Sequence, residues 1–253
     1  MTTSRLRLTL SAPDRLPLDE PLVAIASLSN QGKEPATVSS RLNLAEDLSV
    51  TVAGPGRPPV RATWPWPVDS SLRQVRLAPG EVLEGGVLLL LADGPAPLFP
   101  VAGAYTLVAE FIPTPRDVLR SDPVTVVREE SPDPAARARM RALQDPEVAQ
   151  SIASASVVGA AADAVTGPIA ESPTGRLLAA LATGDTAAAA DAAAALTSEA
   201  GPTVAAAATA AVLPPGLYPG DERISAVGAA LASQDDDGHA AALLAERPWR
   251  PAS

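Results

Sequence analysis

The chain has 253 residues, 47% hydrophobic and 19% charged, with 27 Pro, 17 Gly, one His and no Cys. That length holds two modest domains or one large one, and the lack of Cys excludes a disulfide framework, a thiol nucleophile, a Cys-ligated zinc and an iron–sulfur cluster. The single histidine, His239, excludes any metal site built on two. A formal charge of −10 argues against nucleic acid and anionic membrane surfaces as partners, because both call for a basic patch.

At the N-terminus Arg5-Leu-Arg-Leu-Thr-Leu-Ser11 alternates with period two, with Leu6, Leu8 and Leu10 on one face. This predicts a half-buried strand from the outset and leaves no apolar stretch for a signal peptide. The longest apolar run, Val204 to Leu213, is interrupted by Thr209 and falls short of the roughly 18 to 20 residues of a spanning helix. The expectation is a cytoplasmic protein with no membrane insertion.

Similar strand segments recur at Leu22 to Leu28, Ala36 to Leu42, Leu48 to Ala53, Leu72 to Leu77, Val82 to Leu91, Ala104 to Ile112 and Pro123 to Arg128, separated by Gly, Pro, Asn and Asp clusters. Short strands spaced by turns with no helical pattern between them predict an antiparallel β-sandwich. Arg128-Glu-Glu-Ser-Pro-Asp-Pro134 then reads as an exposed linker. Beyond it the composition changes: 39 of the 123 residues from Ser131 onward are alanine, and only Tyr218 and Trp249 are aromatic.

The segment Phe99-Pro-Val-Ala-Gly-Ala-Tyr-Thr-Leu-Val-Ala-Glu-Phe111 resembles the Gly-x-Tyr-x-Leu-x-Ala-x-Phe strand of bacterial immunoglobulin-like domains, and Leu77-Ala-Pro-Gly-Glu81 resembles the turn before their penultimate hairpin. The resemblance covers residues 1–128. It implies an immunoglobulin-like β-sandwich in which the Tyr105 hydroxyl ties to backbone at the corner of the sandwich and Phe111 packs inward. The Cys pair of antibody domains is missing, so packing alone must join the sheets.

The second half is punctuated by helix signals. Asp145-Pro-Glu147, Ser172-Pro173 and, more weakly, Gly201-Pro202 combine a cap with proline in the first turn, and Gly184-Asp185 joins a stop to a new cap. Helices are predicted near 134–143, 146–164, 173–183, 186–199, 202–212, 222–233 and 238–246. Whether 148–168 is one helix or a mobile linker stays open; Ser151, Ala155 and Gly159 would form a small-residue face on such a helix. The domain plan is thus a sandwich over 1–128, a linker with first helix over 129–144 and an irregular Ala-rich α-helical domain over 145–253. Leu177 to Leu196 resembles one tetratricopeptide-type hairpin, but the cap prolines at 146, 173 and 202 do not keep a constant period.

No catalytic constellation emerges. Asp235-Asp-Asp-Gly238 beside His239 fails as a calcium loop because Ala240 stands where Gly is needed; the simpler reading is that Asp236 or Asp237 caps the following helix. There is no Gly-x-Ser-x-Gly elbow and no phosphate loop. No metal and no cofactor are implied. The candidate binding residues are tryptophans. In Trp64-Pro-Trp66-Pro67 the prolines forbid a central strand, so the pair belongs to an edge or loop, where it either covers one end of the core or makes a contact. Trp249, in the tail Arg247-Pro-Trp-Arg-Pro251, either docks on its own chain or projects to a partner.

These features favour a non-enzymatic cytoplasmic protein whose two parts serve as protein–protein interfaces, with a protein partner or further copies of itself. The alternatives are an intracellular proteinase inhibitor, or a hydrolase with an acid-based site between the domains that uses Ser, Tyr or His239.

Overall fold

The computed structural model describes residues 6–66, 68–93, 97–115, 117–157 and 159–251; Arg5, Pro67 and the last two residues of the tail lie outside the described set. An antiparallel-rich β region is followed by a helical region, as the sequence predicts. The strands are β1 (Leu6–Ser11), β2 (Arg15–Pro17), β3 (Leu22–Asn30), β4 (Ala36–Ser39), β5 (Leu48–Ala53), β6 (Val60–Arg61), β7 (Gln74–Leu77), β8 (Val82–Leu89), β9 (Gly103–Thr114), β10 (Asp117–Arg120) and β11 (Val124–Glu129). One sheet has the order β1-β3-β8. The other runs β2-β11-β9-β5-β6, with β10 also on β9, and β4 pairs with β7. Every pairing is antiparallel except β2 with β11.

Period-two patterning places the core. Along β3, Leu22, Ala24, Ala26 and Leu28 are buried toward the second sheet, where they meet Val50, Val52, Leu107 and Phe111 in one apolar cluster. Tyr105, Leu107, Ala109 and Phe111 share the inner face of β9 and are fully buried. The corner forms as the resemblance implies: the Tyr105 hydroxyl donates to the Val101 carbonyl at 2.8 Å, and its ring meets Phe99 edge-on with centroids 4.9 Å apart. Three short strands, β2, β6 and β10, were not in the sequence pattern; at two to four residues they are too short for alternation to register.

The helices are α1 (Pro134–Gln144), α2 (Pro146–Ala153), α3 (Ala162–Thr166), α4 (Pro173–Thr183), α5 (Thr186–Ala200), α6 (Pro202–Val212), α7 (Glu222–Leu231) and α8 (His239–Leu244). Their starts obey capping chemistry. The side chains of Asp133, Asp145, Ser172, Asp185 and Asp221 accept from first-turn N–H groups, and proline opens α1, α2, α4 and α6. Among the described residues no helix is long and apolar enough to cross a membrane.

The single helix expected over 146–164 is corrected: α2 stops at Ala153, and a 3-10 turn (Gly159–Ala161) and α3 follow. Two interactions account for the break. The Ser154 hydroxyl bonds back to the Gln150 carbonyl at 2.8 Å. The Ala155 carbonyl is taken at 2.8 Å by Arg223, whose same nitrogen also reaches the Leu181 carbonyl at 2.7 Å, while Ala155 itself adopts φ of +46°. Ser151, Ala155 and Gly159 therefore do not share a helix face.

The outer face of the β1-β3-β8 sheet is covered by the helices. Val23 and Ile25 of β3, with Leu88 and Leu90, join the helical apolar cluster, whose centre is α6 with Ala205 to Ala208 fully buried. Gly86 permits this approach: a Cβ there would lie 2.0 Å from the Ala207 carbonyl oxygen and 2.8 Å from the Ala211 nitrogen. Helix backbone thus rests on strand backbone, which needs Gly on one side and Ala on the other.

Candidate functional site

The chain leaves the sandwich ladder just before the tryptophan pair. Ala62 bridges Ala92, Thr63 donates its N–H to the Leu91 carbonyl at 3.1 Å, and Asp93 donates to the Arg61 carbonyl at 2.8 Å. Pro65 then removes a ladder donor, and the described residues from here to β7 form no strand. The far end of this segment is held where Arg41 reaches the Ser70 carbonyl, the Ser70 hydroxyl bonds Glu46, and Ser40 donates to the Arg73 carbonyl at 3.1 Å. Between these anchors Trp64 is half-buried, while Trp66 is 47% exposed and Leu72 64%. Neither indole meets another ring among the described residues. The loop position agrees with the argument from proline.

Trp249 stands elsewhere. It pairs with Val82 on the outer edge of β8 through two backbone hydrogen bonds of 2.9 Å, and Arg250 reaches the Pro79 carbonyl at 3.1 Å. Leu91 lies nine positions after Val82, about 30 Å of extended chain, so Trp249 and the Trp64–Trp66 loop occupy opposite ends of this strand. Of the two placements left open by the sequence, the tail takes the docked one. Its indole stacks on His239, with centroids 3.9 Å apart and planes at 18°.

His239 opens α8. The cap position is Gly238; Asp237 accepts from the His239 N–H at 3.1 Å, as one form of the capping reading expects, and Asp235, which that reading did not name, accepts from Ala240 and Ala241 at 2.9 and 2.8 Å. What lies across the ring has no local signature in the chain. Nε2 faces the Glu84 carboxylate of β8, whose other oxygen accepts from Ser27 at 2.7 Å, and Nδ1 lies 3.4 Å from the Thr203 hydroxyl of α6. Burial works against an imidazolium here, but Glu84 outweighs it, aided by Asp237 and Asp235, and the pKa is raised above the ordinary value of 6.5. An acid, an imidazole and a hydroxyl are in line. The contact to Thr203 is long and Trp249 covers a ring face, so the group joins strand, helix and tail rather than presenting a base to solvent.

Other polar clusters span the same junction. Glu46, with 1% of its side chain exposed, accepts from Arg73 at 2.8 Å, Asn43 at 2.8 Å and Ser70, and Arg73 also pairs with Glu246 at 3.3 Å. Burial raises the Glu46 pKa, yet these hydrogen bonds overcome it and hold the carboxyl below the usual range. Gly216 makes room: a Cβ there would lie 2.3 Å from both Arg73 Nη2 and Glu246 Oε2. On the opposite flank Arg139 of α1 pairs with Asp19 at 2.7 Å and Glu171 at 3.1 Å. Arg128 is buried over the Phe99 ring, donates to the Glu20 carbonyl at 2.7 Å and leaves Nε and Nη1 without partners; burial lowers its pKa to about 10. It borders a cavity of about 20 Å³, room for little more than one water. Among the described residues no group of three or more His, Asp or Glu side chains could hold a metal ion.

No family model matches the sequence, and no curated protein matches it. Among solved structures the chain is similar to the solution NMR structure of the CARDB domain of PF1109 from Pyrococcus furiosus. The identity is 15%, with 49% of this chain and 96% of that domain covered, and the TM-score is 0.21. That likeness bears on neither activity nor partner.

Proposed function

We propose that this chain is a non-enzymatic binding or assembly protein that meets a protein partner, or further copies of itself, through the loop bearing Trp64 and Trp66. The observation that carries the reading is Trp66, 47% exposed on a loop anchored at both ends, with Leu72 exposed on the same loop. A large aromatic held on a proline-stiffened backbone loses little entropy on docking, which is why tryptophans recur among interface hot spots. The close seating of α6 on Gly86 supports the same reading, because it makes the helical part a firm support for the β region rather than a tethered neighbour.

The test is light scattering during size exclusion of full-length protein isolated natively from its source, in wild type and in W64A/W66A. The wild type is expected to travel as a species above the 25.6 kDa monomer, and the double variant as a monomer with an unchanged circular dichroism spectrum. Wild type and variant of equal mass, whether both monomeric or both assembled, would overturn the assignment of the contact to this loop.

A further inference from the structure

The tail from Arg247 to Pro251 is a strap laid across the junction of sheet and helices; its start is tied to α8, where the Arg247 N–H donates to the Ala242 carbonyl at 3.1 Å, and beyond that its attachments among the described residues are few. Two backbone bonds join Trp249 to Val82, Arg250 holds the Pro79 carbonyl, and the indole lies on His239. The seat is imperfect in two respects. The indole Nε1 is buried with no acceptor, and Glu246, just before the strap, holds a φ of +52°, a strained value for a residue with a side chain. The first cost vanishes if the strap lifts; the second belongs to the end of α8, where Glu246 is also held by Arg73.

What offsets the first is centred on His239. Among the described residues the charged groups that act on the imidazole are acidic: Glu84 from β8, and Asp235 and Asp237 from the turn before α8. The Thr203 hydroxyl of α6 is neutral, and the strap contributes the indole. As an imidazolium, His239 neutralises the buried Glu84 and presents a cation to the face of Trp249. As a neutral ring it can still donate from Nε2 to Glu84 while Nδ1 accepts from Thr203, but it brings no positive charge to either the carboxylate or the indole.

We infer that residues 247–251 form a pH-sensitive strap, closed on the β8 edge while His239 is protonated and released when it loses the proton, exposing Trp249 and the backbone of Val82. The sign follows from the stack: only the protonated ring sets a cation against the indole face, so protonation favours the closed strap. Glu84, Asp237 and Asp235, which lie outside the strap, raise the His239 pKa above its ordinary 6.5 against the effect of burial, so this stabilisation is present below that value and lost as pH rises through the raised one. The strap therefore closes toward acid and opens toward alkali. This inference is independent of the Trp64–Trp66 contact.

The experiment uses the full chain as W64F/W66F, in which Trp249 is the only indole. Trp249 emission and the exchange of the Val82 and Trp249 amides are followed from pH 5.5 to 9, with circular dichroism recorded at each point. The expected result is quenched emission at low pH that brightens and shifts to the red in a single titration with its midpoint above 6.5. Amide exchange, corrected for its intrinsic pH dependence, should rise at least tenfold across the same window. In H239Q both signals should be flat, and in E84Q the midpoint should fall. A titration that persists in H239Q, an emission flat with pH, or a change in quenching without any change in amide protection would each overturn the strap.

Discussion

Replacing Gly86 with alanine tests the seating of α6 on the sheet. The added Cβ would fall 2.0 Å from the Ala207 carbonyl oxygen, and ordinary contact begins near 3.4 Å, so the helix must retreat by about 1.4 Å. The obstructing atoms are backbone, which no rotamer change can clear. A gap of even 0.5 to 1 Å forfeits roughly a quarter to a half of the dispersion energy of the atoms it separates. The cost should therefore lie at the upper end of the roughly 1 to 3 kcal/mol typical of overpacking, which for a chain of this size lowers Tm by roughly 6 to 12 °C. Thermal and urea unfolding of G86A followed by circular dichroism would measure it. The contrasting substitution is Gly228→Ala in α7, where the nearest atom to a new Cβ is Leu244 Cδ1 at 3.7 Å. Here the loss of backbone freedom in the unfolded chain should stabilise by about 0.5 to 1 kcal/mol. If G86A melted within a degree of the wild type, the close approach of α6 to β8 would be refuted.

Tyr105→Phe removes the donor to the Val101 carbonyl while keeping the ring, and should cost about 1 kcal/mol, read as a lower urea midpoint with an unchanged slope. Arg73→Met leaves the buried Glu46 with Arg41 at 3.7 Å as its nearest remaining cation, and should destabilise by about 3 kcal/mol at neutral pH. Because the Glu46 pKa is lowered, its contribution is present above the ordinary value of 4.5 and lost as pH falls through the folded value. The gap between wild type and R73M should narrow on acidification, and a constant gap from pH 7 to 3 would contradict the pairing. Residues 131–253 expressed alone lack Val23, Ile25, Leu88 and Leu90, which pack in the helical cluster. That fragment should show helical circular dichroism without a cooperative melt, and a sharp transition would show that the helices need no sheet.

Much of this architecture can be read from local chemistry. Alternation over Leu22 to Leu28 needs only a pleat and one apolar layer to make a strand, and an aspartate or serine followed by proline needs only unpaired N–H groups to start a helix. The Tyr105 corner was also legible, because its partner lies four residues away. What escaped detection depends on distant residues. Nothing around Ala155 announces that Arg223, 68 positions on, will take its carbonyl and end a helix. The Glu84–His239 pair spans 155 positions, and its strand side looks like a lone acid in an apolar run. Gly85-Gly86 could be seen as an oddity within a strand, but not as the bed of a helix. Of the three tryptophans, proline placed Trp64 and Trp66 in a loop, whereas the seat of Trp249 required knowing which strand edge lay open beside the tail.

The alanine surface of α6 also fixes how the two parts of the molecule can meet. Alanine has no χ rotation to lose, so burying Ala205 to Ala208 orders no side-chain torsion, and the helix side of the contact carries no rotamer entropy cost at these positions. By the same token it has no adaptable atoms: leucines could repack in many ways to accept a shifted helix, but methyl groups set against a glycine strand offer one register. The relative orientation of sheet and helices is thus fixed by backbone against backbone at Gly86, a position that takes nothing larger than glycine without moving α6.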